Sequence, residues 1–467
     1  MQTEPRRTSG RSGLAPWERP RPIQTVSNAE GEQGRVDDHR FYLQTLSVLI
    51  SKAAVLASGV LATVILARTL GPSGLGIYTA IFAVITIVLT LADLGVRQAV
   101  AYTMGQSKFD DQTIIGNVIS LVIMVSLLAV TVVTAILLTG PARAYGLAVL
   151  APAIASVPLL LIISYVRGVA LAKGWLRRFN LADLLQKVGF VLFLTIGLVV
   201  LRTDVGGATS AYLLAAFVAG VYSLRWLGRL APLRPRLQGT VIKQLLGLGV
   251  VYAIVLFSLS LNYRIDILLI ERMLTAEDVG LYAVGARFAE LIWQLPAAVG
   301  VVLFSSSARS AEATPAVART AATLRLTLPV VALLCVLIVA TAGWLLPAVF
   351  GPVFAESVAS TRLLMPGVVT AVVFKILYAD MAGRGNPRVG FWVFVPLAAV
   401  NVALNLVWIP RFGIEGAAAA TTLTYVLGAI GFSWRYIRLE GVTLDTLFVP
   451  RRRDVSWMVR HRDDDAN

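Results

Sequence analysis

The 467-residue sequence has few of the side chains that carry most enzyme chemistry. It contains one cysteine, Cys335, and two histidines, His39 and His461, and only 14% of its residues are charged, whereas a soluble domain has about 25%. A single cysteine excludes an internal disulfide, and its apolar surroundings favour a core-packing role. Both histidines lie outside the long apolar runs, so histidine-based catalysis or zinc binding within those runs is excluded.

Apolar residues dominate instead, at 57% of the chain and a mean hydropathy of +0.77. A membrane-spanning helix needs about 20 apolar residues, and glycine, proline and charged residues divide the chain into twelve such runs. These predicted spans are residues 41–67, 77–100, 114–138, 147–168, 182–201, 208–226, 244–270, 281–304, 323–346, 359–382, 390–410 and 416–437. The sequence therefore predicts an all-α, multi-pass membrane protein without a separate soluble domain.

Composition predicts five segments along the chain. Residues 1–40 are rich in Arg, Pro and Gly, lack a signal-peptide pattern and are expected to form a disordered cytoplasmic tail. Residues 41–226 and 244–437 each hold six spans, joined by a basic cytoplasmic linker at 227–243, and residues 438–467 form a second cytoplasmic tail. When sides alternate along the spans, 29 Lys/Arg fall on the side of the tails and 6 on the other, which predicts cytoplasmic termini in a plasma membrane.

An internal repeat relates the two groups of six spans. Residues 68–78 resemble 272–282, residues 172–177 resemble 383–388, and residues 207–208 resemble 416–417, at offsets of 204, 211 and 209. The three matches occur in the same order and between corresponding loops. Because six spans separate the copies, both halves point the same way, which predicts two parallel six-helix bundles with a substrate path between them.

Several motifs resemble those of one transporter family. They are Leu66-Ala-Arg-Thr-Leu-Gly-Pro-Ser-Gly-Leu-Gly76-Ile-Tyr78, Leu91-Ala-Asp93-Leu-Gly95, Arg264-Ile-Asp266-Ile-Leu-Leu, Val279-Gly-Leu-Tyr282, and Ala382-Gly-Arg384-Gly through Asn401 and Asn405 to Ile409-Pro410-Arg-Phe-Gly413-Ile-Glu-Gly416. In order and spacing, over residues 41–437, they resemble the polysaccharide flippases of the multidrug/oligosaccharidyl-lipid/polysaccharide (MOP) exporter superfamily. The resemblance implies a twelve-helix flippase for a polyprenyl-diphosphate-linked oligosaccharide.

Charged residues inside the predicted spans are candidates for the substrate path, because a charge at the bilayer centre costs at least about 2.5 to 3.5 kcal/mol. Lys52 and Arg264 have no acid at helical i,i+3 or i,i+4 spacing, Arg287 lies deep in its span, and Lys375 lies near the inner side. These four cations are the predicted diphosphate-binding residues. In contrast, Asp93/Arg97 and Asp183/Lys187 have i,i+4 spacing that favours structural ion pairs.

Four carboxylates are candidates for ion coupling or gating: Asp93, Asp266, Glu290 and Asp380. No phosphate-binding G-x-x-x-x-G-K-[ST] loop is present, so the sequence does not indicate ATP hydrolysis, and neither an enzymatic activity nor a cofactor is expected. The expected partners are the lipid-linked glycan, membrane lipids and polysaccharide-assembly proteins, without nucleic acid.

Three other functions remain open from the residues alone. A non-transporting scaffold that binds partners through its tails would tolerate replacement of Lys52 and Arg264. A drug/cation antiporter of the same superfamily would be expected to carry more acids than bases in its spans, and the spans hold six bases against five acids. A membrane glycosyltransferase or polymerase usually needs a substantial outer loop, whereas the predicted outer loops are short.

The side assignment makes a direct prediction. In a Cys335→Ala background, single cysteines at Ser12 and Ser456 should resist a membrane-impermeant maleimide added to intact cells, because both tails are predicted to be cytoplasmic. A cysteine at Arg143, in a predicted outer loop, is the positive control. Labelling at either tail in sealed cells would overturn the assignment.

Overall fold

The computed structural model describes residues 33–105, 109–173, 175–309, 313–386 and 388–450. No strand occurs in these ranges. The described residues from Val48 onward form one compact unit. The helices are α1 (Gln33–Ala92), α2 (Val96–Gly105), α3 (Asp111–Thr139), α4 (Leu147–Ala172), α5 (Leu176–Leu194), α6 (Val205–Gly228), α7 (Gly239–Met273), α8 (Ala276–Arg309), α9 (Ala313–Phe350), α10 (Ser357–Gly383), α11 (Arg388–Glu440) and α12 (Leu444–Phe448).

Ten helices of the described ranges are long and apolar enough to cross a membrane, and two of them are about twice the necessary length. Ala53–Ala92 has 40 residues and Arg388–Glu440 has 53. Each is interrupted by a glycine with a positive φ, Gly71 (67°) or Gly413 (59°), where the chain turns out of the helix. The two double helices therefore supply two spans each, giving twelve, and the predicted fold class is confirmed.

The structure changes two predicted boundaries. The span predicted at 77–100 ends earlier, at Ala92, because Leu94 (φ 47°) and Gly95 (φ 62°) adopt the left-handed conformation and separate α1 from α2. The linker is shorter than the predicted 227–243, since α6 continues to Gly228 and α7 begins at Gly239.

The linker is fixed to α3 by hydrogen bonds. The backbone N–H of Arg236 donates to the carbonyl of Gly116 (3.0 Å), the Ser120 hydroxyl donates to the carbonyl of Arg236 (2.8 Å), and the Gln238 N–H donates to the side-chain carbonyl of Asn117 (2.8 Å). These bonds satisfy backbone groups that no helix pairs. We call the side of the molecule that carries this segment the linker end.

At the opposite end, the repeat-related glycines make a reciprocal contact. A Cβ on Gly76 would collide with the carbonyl of Ala276, and a Cβ on Gly280 would collide with the carbonyl of Pro72. Under the repeat offset of 204, residue 72 corresponds to 276 and residue 76 to 280. Each half thus offers the same pair of residues to the other, as expected across a two-fold axis. We call this side the Gly76 end.

Further contacts hold the halves together at the Gly76 end. The Arg68 guanidinium in α1 donates to the carbonyl of Val349 (2.8 Å) in α9 and to that of Ala348. The hydroxyl of Tyr145, just before α4, donates to the Glu271 carboxylate in α7 (3.2 Å). The two halves are therefore closed against each other at this end.

The glycine contact predicts how closure responds to one methyl group. In a Cys335→Ala background, a cysteine in place of Leu75, which is 2% exposed, should react slowly with a water-soluble maleimide. Adding Gly280→Ala should raise that rate several-fold, because the new methyl group collides with backbone that has no room to move.

The matched control is Gly189→Ala in α5, where the nearest atom would be 3.7 Å away and the maleimide rate should not change. An unchanged rate in the Gly280→Ala protein would show that the Gly76 end does not close through this contact.

Candidate functional site

Two cavities with shared walls lie between the helices of the two halves. The smaller, of about 290 Å³, is bounded by α1, α5, α6 and α8, and the larger, of about 530 Å³, lies nearer the linker end between α1, α2, α4, α5, α6 and α7. Lys187 and Tyr212 line both, so the cavities adjoin. Together they are called the central cavity.

Basic side chains outnumber acidic ones in the central cavity. Among the described residues, its walls include the cations Arg97, Arg167, Lys187, Arg264 and Arg287 and the carboxylates Asp93, Asp183 and Glu290. An enclosed site lined by an excess of one charge focuses the electrostatic field and attracts ions of the opposite sign. The central cavity therefore suits an anionic ligand.

Glu290 neutralises two of these cations at once. Its carboxylate accepts from Arg287 (2.7 Å) one turn away in α8 and from Arg264 (3.3 Å) in α7. One negative charge thus faces two guanidinium groups. The Arg287 guanidinium also packs on Gly59 of α1, where a Cβ would collide with it, so this side chain crosses from one half to the other.

Lys187 has no carboxylate within 4 Å among the described residues, and it lies where the two cavities meet. Its predicted partner, Asp183, pairs instead with Arg167 of α4 (3.5 Å). Asp93 likewise accepts from the Ser164 hydroxyl (2.5 Å) and not from Arg97. Both helical i,i+4 pairs expected from the sequence are therefore replaced by contacts between helices.

The predicted cations are placed differently from one another. Arg264 and Arg287 line the central cavity. Lys375 is absent from its described walls, and its ammonium lies over the rings of Tyr263 (5.1 Å) and Trp293 (4.8 Å), a cation–π arrangement. The Lys52 side chain lies outside the described residues.

Asp266 and Asp380 are buried away from the central cavity, at 3% and 0% exposure. Asp266 accepts from the backbone of Ile267 (2.9 Å) and from the hydroxyls of Tyr282 and Thr421.

Asp380 has a different set of partners. It accepts from Ser307 (2.6 Å), Tyr436 (2.8 Å) and Arg384 (2.7 Å), and Arg384 also pairs with Glu440 (2.7 Å). The structure therefore pairs Asp380 with Arg384 and not with the nearby Lys375.

Sequence reasoning missed Lys187, Arg97 and Arg167 as cavity residues. The predicted fourth span ends at residue 168, so Arg167 counts with the cytoplasmic loop residues in the sequence, whereas α4 continues to Ala172. Lys187 and Arg97 were assigned to helical pairs because i,i+4 spacing is visible within one helix and interhelical partners are not.

Glu290 provides a test of the cavity's charge. Replacing it by Gln removes the carboxylate that Arg264 and Arg287 share, so purified Glu290→Gln protein should bind pyrophosphate more tightly than the wild type, by about fivefold for the loss of one half-buried ion-pair charge. Isothermal titration calorimetry measures the difference. Equal pyrophosphate affinities in the two proteins would contradict this electrostatic description.

Comparison with known proteins places the fold. A sequence model of the family described as polysaccharide biosynthesis protein matches residues 44–311, more than half of the chain. A search of curated protein sequences gives no significant match.

Solved structures with the same fold include the inward-facing conformation of a multidrug resistance MATE family transporter of the MOP superfamily, at TM-score 0.68 and 15% identity, over 83% of this chain and 95% of that one. The lipid II flippase MurJ in an inward closed conformation matches at TM-score 0.69 and 11% identity, over 90% and 96%. At these identities the likeness establishes a MOP transporter fold.

Proposed function

The chain belongs to the polysaccharide biosynthesis protein family, and we propose that it moves a polyprenyl-diphosphate-linked oligosaccharide from the cytoplasmic to the outer leaflet of the cell membrane by alternating access. The MOP superfamily consists of membrane transporters, so we take transport as given and propose the identity of the transported substrate. A lipid-linked glycan leaves its tail in the bilayer, but its diphosphate and sugars need a polar path.

The observation that carries the proposal is the excess of cations in the central cavity, five against three carboxylates among the described walls. A diphosphate compensates this excess, whereas an organic cation would increase the repulsion. The charge balance therefore favours a flippase for an anionic lipid over a drug/cation antiporter.

In this proposal Lys187, Arg264 and Arg287 bind the diphosphate. Among the described residues, Lys187 has no carboxylate within 4 Å. A phosphate oxygen can replace the Glu290 oxygen on either arginine. Arginine offers a planar fork to phosphate and lysine a point charge. Lys52, whose side chain lies outside the described residues, stays in the series on the sequence argument alone, since it has no acid at i,i+3 or i,i+4 spacing.

The smaller cavity also offers groups that suit sugars. The rings of Tyr78, Phe190 and Tyr212 form part of its wall, with ring centroids 5.1 to 5.8 Å apart. Thr63 and Gln294 add a hydroxyl and an amide to the same wall. Aromatic faces pack on sugar C–H groups, while amides and hydroxyls bind sugar hydroxyls. The glycan is therefore assigned to the smaller cavity.

Asp266 is the carboxylate that we assign to ion coupling. Glu290 and Asp380 are held by arginines, so a change in their charge would break an ion pair. Asp266 is held by hydroxyl and backbone donors without a cation within 4 Å among the described residues. It can therefore gain or lose a proton at a smaller cost, and its contacts to Tyr282 and Thr421 link α7, α8 and α11 to that change.

The test replaces the proposed cations in cells that depend on the protein. Lys187→Ala and Arg287→Ala should each reduce glycan export by about tenfold or more, because a charge-assisted hydrogen bond contributes about 1.5 to 3 kcal/mol. Lys52→Ala should abolish export, and Arg264→Lys should impair it less than Arg264→Ala.

Export of the surface glycan and the amount of lipid-linked precursor in each leaflet are measured at matched protein levels. The control is Arg143→Ala, which removes an exposed charge from a residue that lines neither cavity. Full export by the Lys187, Arg264 and Arg287 variants, without accumulation of precursor in the cytoplasmic leaflet, would overturn the proposal.

A further inference from the structure

A separate cavity of about 500 Å³ lies between α5 and α6 near the linker end. It shares no lining residue with either part of the central cavity. We call it the α5–α6 groove. Its described walls are Arg178, Leu185, Phe217, Val218, Val221, Tyr222, Arg225, Trp226 and Arg229. No step of the proposed transport uses these residues.

The groove is polar at one end and apolar at the other. On α5, Arg178 lies seven residues before Leu185. On α6, Arg225 lies seven residues after Val218 and eight after Phe217. Each spacing is about two helical turns, or about 10 Å along the helix. The two helices run in opposite directions, so both place arginine at the linker end and apolar side chains deeper. This is the division between headgroup and acyl chain in a phospholipid.

The apolar part of the groove faces the membrane. Phe217 is 56% exposed and Val218 41% exposed, although both lie within the membrane-spanning helix Val205–Gly228. Within a membrane span, a side chain that no other part of the protein covers is in contact with lipid. The groove is therefore open along its length to the surrounding acyl chains.

The three arginines lack an acidic partner among the residues that the structure describes. Within the described part of the chain, no carboxylate lies within 4 Å of the guanidinium groups of Arg178, Arg225 or Arg229, and all three side chains are exposed. Arg178 is held in place by stacking over Trp175 (4.6 Å) and Trp226 (5.4 Å). Three fixed positive charges around one groove repel each other, and an anion between them removes that repulsion.

We propose that the α5–α6 groove binds an anionic phospholipid, with its phosphate among the three guanidinium groups and an acyl chain along Leu185, Phe217 and Val218. Basic pockets between membrane helices recognise anionic headgroups in this way. A free phosphate would use the arginines but not the apolar wall. We therefore choose a lipid because the arginines and the apolar wall belong to one continuous groove.

The experiment uses purified full-length protein in nanodiscs of phosphatidylcholine. Binding of spin-labelled phosphatidylglycerol is compared with that of spin-labelled phosphatidylcholine carrying the same chains. The wild type should prefer phosphatidylglycerol, and Arg225→Gln/Arg229→Gln should reduce that preference by about tenfold or more, given the contribution of each basic residue at a charged membrane surface.

The matched control is Arg388→Gln/Arg438→Gln, which removes the same charge. Arg388 and Arg438 are also exposed, and Arg438 also stacks on a tryptophan, Trp434 (4.6 Å), but neither residue lines the groove. The control should keep the wild-type preference within about twofold. An equal loss of the phosphatidylglycerol preference in the control would show that net charge alone causes the effect, and it would overturn the proposal.

Two further arms complete the test. Soluble glycerol 3-phosphate and inorganic phosphate should compete poorly with phosphatidylglycerol, and effective competition by either would identify a free-anion site instead. Arg225→Lys/Arg229→Lys keeps both charges and should retain most of the preference, which separates loss of binding from misfolding in the Gln variant. No glycan enters these measurements, so their outcome is independent of the proposed transport substrate.

Discussion

The arrangement of this structure depends on the free-energy cost of placing charged side chains in the hydrocarbon of the membrane. Charged groups within the helices are paired with each other: Glu290 of α8 binds Arg264 of α7 as well as Arg287 of its own helix, and Asp183 of α5 binds Arg167 of α4. What these pairs leave uncompensated is positive and lies at the walls of one cavity between the halves. Buried ion pairs add little net free energy to folding. Stability alone therefore does not explain why the cavity keeps these charges, whereas binding of an anionic ligand would.

The internal repeat determines where that cavity forms. Gly76 and Gly280 allow the backbones of the two halves to meet at one end, and the contact is reciprocal because the halves are copies. Toward the linker end, α2, α4 and α5 carry Arg97, Arg167 and Asp183, and together with α1, α6 and α7 they surround the larger cavity. A two-fold pair of bundles that closes at one end and encloses polar space at the other has the geometry needed for alternating access.

The sequence predicted the parts that depend on local properties. Apolar length and glycine positions predicted twelve spans, the lack of an acid at helical spacing pointed to Arg264, and depth within its span pointed to Arg287. It could not predict contacts made between helices. Asp183 pairs with Arg167 only once α4 and α5 are packed, and this leaves Lys187 without a carboxylate within 4 Å among the described residues. The two aromatic rings around Lys375 likewise come together only when α7, α8 and α10 are packed. The early end of the second span follows from the left-handed Leu94, which no composition rule anticipates.

The central claim is that the cavity's positive charge selects a diphosphate lipid. It is tested most directly with purified protein in sealed vesicles, by comparing transfer between leaflets of one oligosaccharide attached to a polyprenyl diphosphate and to an uncharged polyprenol. We expect protein-dependent transfer of the diphosphate lipid at least about tenfold faster, as a charge-assisted contact implies. Equal rates for the two lipids would show that the cations do not recognise the phosphate.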